Sequence, residues 1–399
     1  IRMTIQLPMS ENPGEAGDYV TRVCGSITEI DPAQWEALRG HDTQPFSSHA
    51  WLALLERSGC VSEDTGWRPL HLVLEQNGHL AAAAPLYLKG HSYGEYVFDW
   101  AWADAYQRHG LRYYPKLLSA IPFTPVPGSR LLATDQASQG ALARALVDLA
   151  RQSGVSSLHV LFPRSGEAAL LETAGAMLRR GVQFHWHNEG WPHFEAFLAS
   201  LNQPKRKKIR AERRKVAESG VRFRRLSGRD IAERDWEFFC RCYDNTYVEH
   251  HSTPYLNRAF FKGLGETMPD SVVMVIAESD GRPIASSLLL RDQERLYGRY
   301  WGALETVPCL HFETCYYQAI EAAIELGIQV IEGGAQGEHK MARGFTPQPT
   351  VSAHWLAEPA FADAVQRFLD REGNAMSGYL DELNERTPFR NGRAGGDPA

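Results

Sequence analysis

Val272-Val273-Met274-Val275-Ile276-Ala277-Glu278-Ser279-Asp280-Gly281-Arg282-Pro283-Ile284-Ala285-Ser286-Ser287-Leu288-Leu289-Leu290-Arg291 consists of two apolar runs joined at Asp280-Gly281. An Asn-Gly or Asp-Gly pair between such runs signals a β-hairpin, because the tight turn that suits strand twist needs φ > 0 at both central residues. The stretch predicts strands over Val272 to Glu278 and Ile284 to Arg291. The first half carries the same pattern: Leu70 to Glu75, a turn at Asn77-Gly78, then Leu80 to Lys89. Gly78 and Gly281 lie 203 positions apart, and at that offset Glu75 meets Glu278, Ala82 meets Ala285 and Leu86 meets Leu289. One residue further out, Tyr93-Gly94-Glu95-Tyr96 meets Tyr297-Gly298-Arg299-Tyr300.

Both halves continue alike. Upstream of the first hairpin, Val23 to Ile30 predicts a strand, Asp31-Pro32 opens a helix with Trp35 and Leu38 inward, and Ser48 to Arg57 is a second helix. Downstream, the pattern predicts an aromatic strand over Val97 to Trp102, helices near Tyr113 to Ala120 and Gln139 to Gln152, and a strand over Leu158 to Phe162. The second half offers a strand over Tyr297 to Gly302, a helix over Thr314 to Leu326 and a strand over Ile328 to Ile331. These are two copies of one α/β unit. The expected organisation is a disordered leader over 1–17, a first domain over 18–190, a second over 191–388 with a basic helix at 204–221, and a disordered tail over 389–399.

A chain of 399 residues has room for two cores. Hydrophobic residues at 43% and charged residues at 23% describe a globular body, and a net charge of −6 gives no overall attraction to nucleic acid or acidic membranes. Six scattered cysteines without a Cys-x-x-Cys pair argue against a disulfide scaffold or structural zinc and for a reducing compartment. The first twenty residues lack the basic start and apolar core of a secretion signal, and no run approaches a membrane span, so a cytoplasmic location is expected.

Chemistry concentrates in Gly333-Gly334-Ala335-Gln336-Gly337-Glu338-His339-Lys340-Met341-Ala342-Arg343-Gly344-Phe345, directly after a buried strand. Glycine lets such a strand end turn sharply, and strand ends in α/β proteins commonly open on ligands. Between the copies, Pro204 to Val216 holds eight cations and one acid, with Ile209 and Val216 as a thin apolar seam. It reads either as a solvated connecting helix or as a phosphate-binding one using Lys207, Lys208 and Arg210. In the first half, Tyr93, Asp99, Trp100 and Asp104 form an aromatic and acidic cluster suited to a polar, amine-bearing ligand. His311 and Glu313 stand at a helix start, where backbone N–H groups bind anions. His185-Trp186-His187 and Glu249-His250-His251 lack a third ligand at a recognisable spacing, so they are read as structural and no metal is expected. Cys315 is a weak nucleophile candidate, and Walker, nucleophile-elbow and dinucleotide fingerprints are missing.

The chain resembles the FemAB-like proteins of the GNAT acyltransferase superfamily, in particular the peptidoglycan biosynthesis/recognition group. The resemblance spans roughly Val23 to Glu385 and is carried by Ser92-Tyr93-Gly94-Glu95-Tyr96-Val97-Phe98-Asp99-Trp100, Leu296-Tyr297-Gly298-Arg299-Tyr300-Trp301-Gly302 and Gly334 to Gly344. It implies tandem GNAT-like units with mixed sheets flanked by helices. It also implies transfer of an acyl or aminoacyl group, from acyl-CoA or aminoacyl-tRNA, to an amine on a small-molecule or nucleotide-linked acceptor such as a cell-wall precursor. Lys205 to Val221 and Lys340 to Phe345 are similar to the family's basic helix and Lys-x-x-(Gly)-Phe turn. The acetyl-CoA pattern Arg/Gln-x-x-Gly-x-Gly/Ala is missing at Gly302 to Cys309, as is the long coiled-coil arm of several Fem enzymes. Amine attack on an acyl carbon needs a base and an oxyanion partner. Glu338 or His339 is the expected base, Lys340 and Arg343 the electrostatic partners, and Gln336 a positioning group. Tyr93, Asp99 and Trp100 are the expected acceptor contacts. The rival expectation is a non-catalytic protein that binds a cell-wall fragment or RNA.

Overall fold

The computed structural model describes residues 19–334 and 337–390. The expected leader, most of the expected tail and Gln336 lie outside the described residues. The chain forms two compact units of mixed α/β structure: one runs up to Gly181 and takes in Thr350–Ser377, and the other is Val182–Pro349 with the chain from Gly378 onward.

In the first unit, strands Val20–Cys24, His71–Gln76, His79–Ala84 and Leu132–Ala133 form an antiparallel sheet. A second group runs Trp67–Pro69, Tyr87–Lys89, Lys116–Ser119 and Ser157–Leu161, the last pair parallel. Helix Gln136–Ser153 is capped by the Asp135 side chain and packs Leu142, Leu146 and Leu149 onto Leu72, Leu74, Leu117 and Leu158. In the second unit, Arg222–Ser227, Val272–Ser279, Arg282–Arg291 and Arg295–Ala303 are antiparallel neighbours. Val330–Glu332 joins them in parallel, and His185–His187 of strand Met177–His187 pairs with its other side. Helix Gln318–Leu326 seats Ala319, Ile320 and Ala323 on Val273, Val275, Leu289, Leu296 and Ile331. Helix Glu233–Glu249 comes so close to the strand Arg295–Ala303 that a Cβ on Gly302 would lie 1.9 Å from the Cys242 carbonyl oxygen.

The duplication holds at the level of register. Around the first turn, Gln76 pairs with His79 and Glu75 with Leu80, and the register then shifts before Leu74 meets Ala82. Ser279 pairs with Arg282, Glu278 with Pro283, and an equivalent shift precedes Ala277 and Ala285. Asn77 (φ 52°) and Asp280 (φ 50°) are both left-handed, as the turn type requires. Each first strand even repeats its ion pair: Arg22 Nη2 lies 2.7 Å from Glu75, and Arg224 Nε 2.7 Å from Glu278.

Other expectations are corrected. Val97 to Trp102 is not a strand, because helix Trp100–Arg108 begins inside it. Asp99 therefore does not alternate across a strand with Trp100. The expected helix near Tyr113 to Ala120 is the buried strand Lys116–Ser119. Tyr93 to Tyr96 lies outside any strand, unlike Tyr297 to Tyr300, so that part of the offset match is not structural. The basic helix is Gln203–Glu218, ended at Gly220 (φ 74°) before strand Arg222–Ser227. Among the described residues the cysteines are free, no helix is long and apolar enough to cross a membrane, and no cluster of three or more His, Cys, Asp or Glu could hold a metal.

Candidate active site

The second unit's sheet opens at the end of strand Val330–Glu332. Its parallel pairing with the neighbouring strand stops at Tyr297 and Glu332, although that neighbour continues to Ala303. The chain beyond Glu332 stays with the other side, Gly333 N–H donating to the Phe184 carbonyl at 3.4 Å. It then turns through Gly334 (φ 86°) into the 3-10 helix Glu338–Arg343. Gly333 makes room for the side chains that fold back over it: a Cβ there would meet Lys340 Cδ at 3.2 Å and the Phe345 ring at 3.1 Å.

Lys340 is buried against this turn, and its Nζ donates to the Gly334 carbonyl at 2.9 Å. Desolvation brings its ammonium down to about 8. His339 is exposed, with Nε2 3.1 Å from the Tyr316 hydroxyl. Partial burial, then Arg343, Lys340 and Lys208, lower its pKa. Glu338 points elsewhere: it is exposed, bonded to the Tyr379 hydroxyl and 3.9 Å from Arg386. Arg343 is fully buried. Its Nη2 donates to both Glu212 oxygens at 3.0 and 2.9 Å, its Nη1 donates to the His339 carbonyl at 2.8 Å, and its guanidinium stacks 3.5 Å from the Phe312 ring centroid.

The run before the turn is helical over Leu310–Phe312, widens to a π turn over Glu313–Tyr317 and continues as Gln318–Leu326. His311 sits among Trp301, Phe312 and Tyr316, and burial, with His339 and Arg343 beside it, pushes it down to about 4. Glu313 is buried, which raises its pKa, and is held by Arg213 at 3.0 Å and Gln318 at 2.9 Å. On the basic helix Lys207 and Lys208 are exposed and make no ion pair among the described residues, whereas Arg210 meets Glu195 at 2.6 Å.

The first unit holds a buried polar network instead of an open cluster. Lys116 Nζ donates to Ser92 at 2.7 Å, to Glu95 at 2.7 Å and to Asp99. Tyr113 donates to Asp99 at 2.7 Å, its oxygen lies 3.0 Å from His159 Nε2, and His159 Nδ1 lies 2.8 Å from His354 Nδ1. Burial pushes Asp99 upward, but Lys116, His159 and Tyr113 hold it well below the usual carboxylate range. Glu95, 3.8 Å from Lys89, is raised to about 7 by burial despite Lys116. Tyr93 and Trp100 are exposed and pack edge to face at 5.2 Å. Asp104 is not brought to Asp99; it is exposed and pairs with Arg108 at 2.9 Å.

Sequence reasoning missed Lys89, Glu95 and Lys116. A lysine opening the wholly buried run Lys116-Leu117-Leu118-Ser119 was the available signal. It counted Glu332 among the polar side chains around the turn without giving it a role and read His185 as structural, yet the two stand side by side in adjacent strands at the sheet opening.

A sequence model of the FemAB-like family, described as peptidoglycan biosynthesis/recognition, matches residues 26–391. No curated protein matches. Among solved structures, the chain is similar to the C-terminal domain of a putative lysylphosphatidylglycerol synthetase from Agrobacterium fabrum, with 10% identity, TM-score 0.55, and 86% of this chain and 97% of that one covered. FemX matches at 11% identity and TM-score 0.53 over 84% of this chain and 98% of its own. L-PGS from Bacillus licheniformis matches at 11% and 0.51 over 85% and 97%. At these identities the likeness shows the fold, in keeping with the two copies read from the duplicated hairpins and with the tandem GNAT-like units that the resemblance implies.

Proposed function

The chain belongs to the FemAB-like family, and from that premise we propose that it is an acyltransferase moving an acyl or aminoacyl group from an activated donor to an amine. The observation that carries this reading is Lys340, a buried ammonium at the point where the second unit's sheet opens. Such a cation, excluded from water, stabilises the oxyanion that forms when an amine adds to an acyl carbon. Donor phosphates suit the free lysines Lys207 and Lys208, and an aminoacyl-tRNA fits that charge, with acyl-CoA the other donor class. One similar structure is of a lysylphosphatidylglycerol synthetase, whose name likewise joins an aminoacyl group to an acceptor.

The test supplies the purified chain with a tRNA pool charged with radiolabelled amino acids or with labelled acetyl-CoA. UDP-linked muramoyl pentapeptide and lysine amides serve as acceptors. Transfer is expected from one donor, and Lys340→Met should lower it by about a hundredfold or more while leaving the fold intact. No transfer from either donor, or an unimpaired Lys340→Met variant, would sink the reading.

A further inference from the structure

The end of strand Val330–Glu332 gathers buried polar groups whose bonding capacity is unfilled. Glu332 Oε1 accepts from Arg295 at 2.9 Å, but the buried Oε2 has no partner among the described residues. His185, aligned with Glu332 on the antiparallel neighbour, has a buried Nε2 that is likewise unpartnered. The two orphan atoms face each other at 4.0 Å, too far for a hydrogen bond. Lys340 packs over the next residue along from Glu332, since a Cβ on Gly333 would meet its Cδ at 3.2 Å and its Cε at 3.3 Å, and it gives only one of its three ammonium hydrogens to a described acceptor, Gly334. Buried polar atoms are seldom left unsatisfied. An orphan acceptor, an orphan ring nitrogen and spare donors close together mark a place among the described residues where a further polar atom belongs.

We propose that Glu332 takes the proton from the attacking amine at this place, with Lys340 turned toward the acyl oxygen. This rests on the transferase reading above. An amine arriving as R–NH3+ gives one proton to Glu332 Oε2. Its freed lone pair forms the C–N bond, and Lys340 donates to the developing oxyanion. The tetrahedral adduct collapses, the bond to the donor's oxygen or sulfur breaks, and that atom leaves with the electron pair and takes a proton from the new C–N nitrogen. The products are the amide, the protonated leaving group and one proton, which Glu332 returns to solvent.

The surroundings suit this role. Burial raises the Glu332 carboxyl, against the pull of Arg295, to about 7, where a base is half-ionised at working pH. The charged groups that act on Glu332 are Arg295, Arg299 and Asp292 from one neighbouring strand and its turn; His185 stands against it on the other, and His187 and Lys340 act on His185. Burial holds His185 down at about 3, so it stays neutral and leaves the proton to Glu332.

Infrared difference spectra of the purified chain against Glu332→Gln, between about pH 5 and 9, isolate this carboxyl. The probe is Nα-acetyl-lysine methylamide. Alone, the carboxyl should titrate near 7. With saturating probe, the ammonium beside it should lower that midpoint by about one unit or more. A midpoint unmoved by the probe overturns the proposal. In the transfer assay, Glu332→Gln should lower kcat by about a hundredfold or more and abolish the fall in rate below about pH 7, and Glu332→Asp should restore part of both. If the wild type transfers nothing while the probe still moves the midpoint, the transferase reading fails and the amine site stands. If the wild type transfers and Glu332→Gln matches its rate and pH profile, the base assignment alone fails.

Discussion

Arg343 shows how far a residue's chemistry is fixed by partners distant in the chain. Its position in the polar turn marks it as a substrate contact, yet its two Nη atoms are committed to Glu212 and the His339 carbonyl. Glu212 is the single acid of the basic run, and it is buried, with the Tyr317 hydroxyl as a further donor. Removing one side of such a pair strands a charge in low dielectric. Arg343→Met should therefore cost about 3–5 kcal/mol in urea unfolding, and a loss under about 0.5 kcal/mol would show that the pair does not hold the turn to the helix. Glu332 teaches the converse. Beside Gly333-Gly334 it is one polar residue among many, and only strand pairing reveals that His185 stands against it with the two buried orphan atoms 4.0 Å apart.

The helix Gln203–Glu218 divides its charge by position. Arg213 bridges Glu313 at 3.0 Å and Glu321 at 2.8 Å, and Arg210 meets Glu195, so cations in its later turns work within the fold. Lys207 and Lys208 lie near the N-terminal end, where the helix dipole disfavours cations, and nothing described neutralises them. Lys207→Gln with Lys208→Gln should weaken tRNA binding and flatten the log-affinity against log-salt slope by about two, read by filter binding across salt concentrations. An unchanged slope would return these lysines to ordinary solvation. Elements with their own punctuation were legible in sequence: Asn77-Gly78 and Asp280-Gly281 set the hairpins, and Asp31 and Ser48 cap their helices through N–H groups three residues on. The segment from Val97 to Ala120 was not. Its aromatic density imitates a strand where Trp100–Arg108 is helical, and Lys116–Ser119 is too short for periodicity to distinguish strand from helix.

At the scale of the molecule, the copies share a scaffold and differ in polar content. Gly154 (φ 66°) and Gly327 (φ 68°) end equivalent helices before strands Ser157–Leu161 and Val330–Glu332. Counting from those glycines, His159 stands where the second copy has Glu332. His159 is satisfied by Ser157, Tyr113 and His354, whereas Glu332 keeps an open oxygen. Duplication thus left the polar group at one of these two positions satisfied and the other with an unfilled acceptor among the described residues. It also left the protein with buried groups that titrate in opposite directions. Burial holds His159 and His185 near 3 and His311 near 4, and drives His354 well below its ordinary value. Between the unfolded imidazole value of about 6.5 and those folded values, the unfolded chain binds more protons, so stability falls as pH falls. Glu95 and Glu332, raised to about 7 by burial, act the other way, because the folded state holds their protons between about 7 and the unfolded carboxyl value near 4.5. More imidazoles are lowered than carboxyls are raised, so the unfolded state is the richer in protons between roughly pH 4.5 and 6.5 and stability falls as pH falls through that window. Urea unfolding at several pH values in that window should show this slope, and Glu332→Gln should steepen it by about one proton. A free energy of unfolding that is flat across the window would mean that the imidazoles are charged in the folded protein and that the His159–His354 contact does not persist in solution.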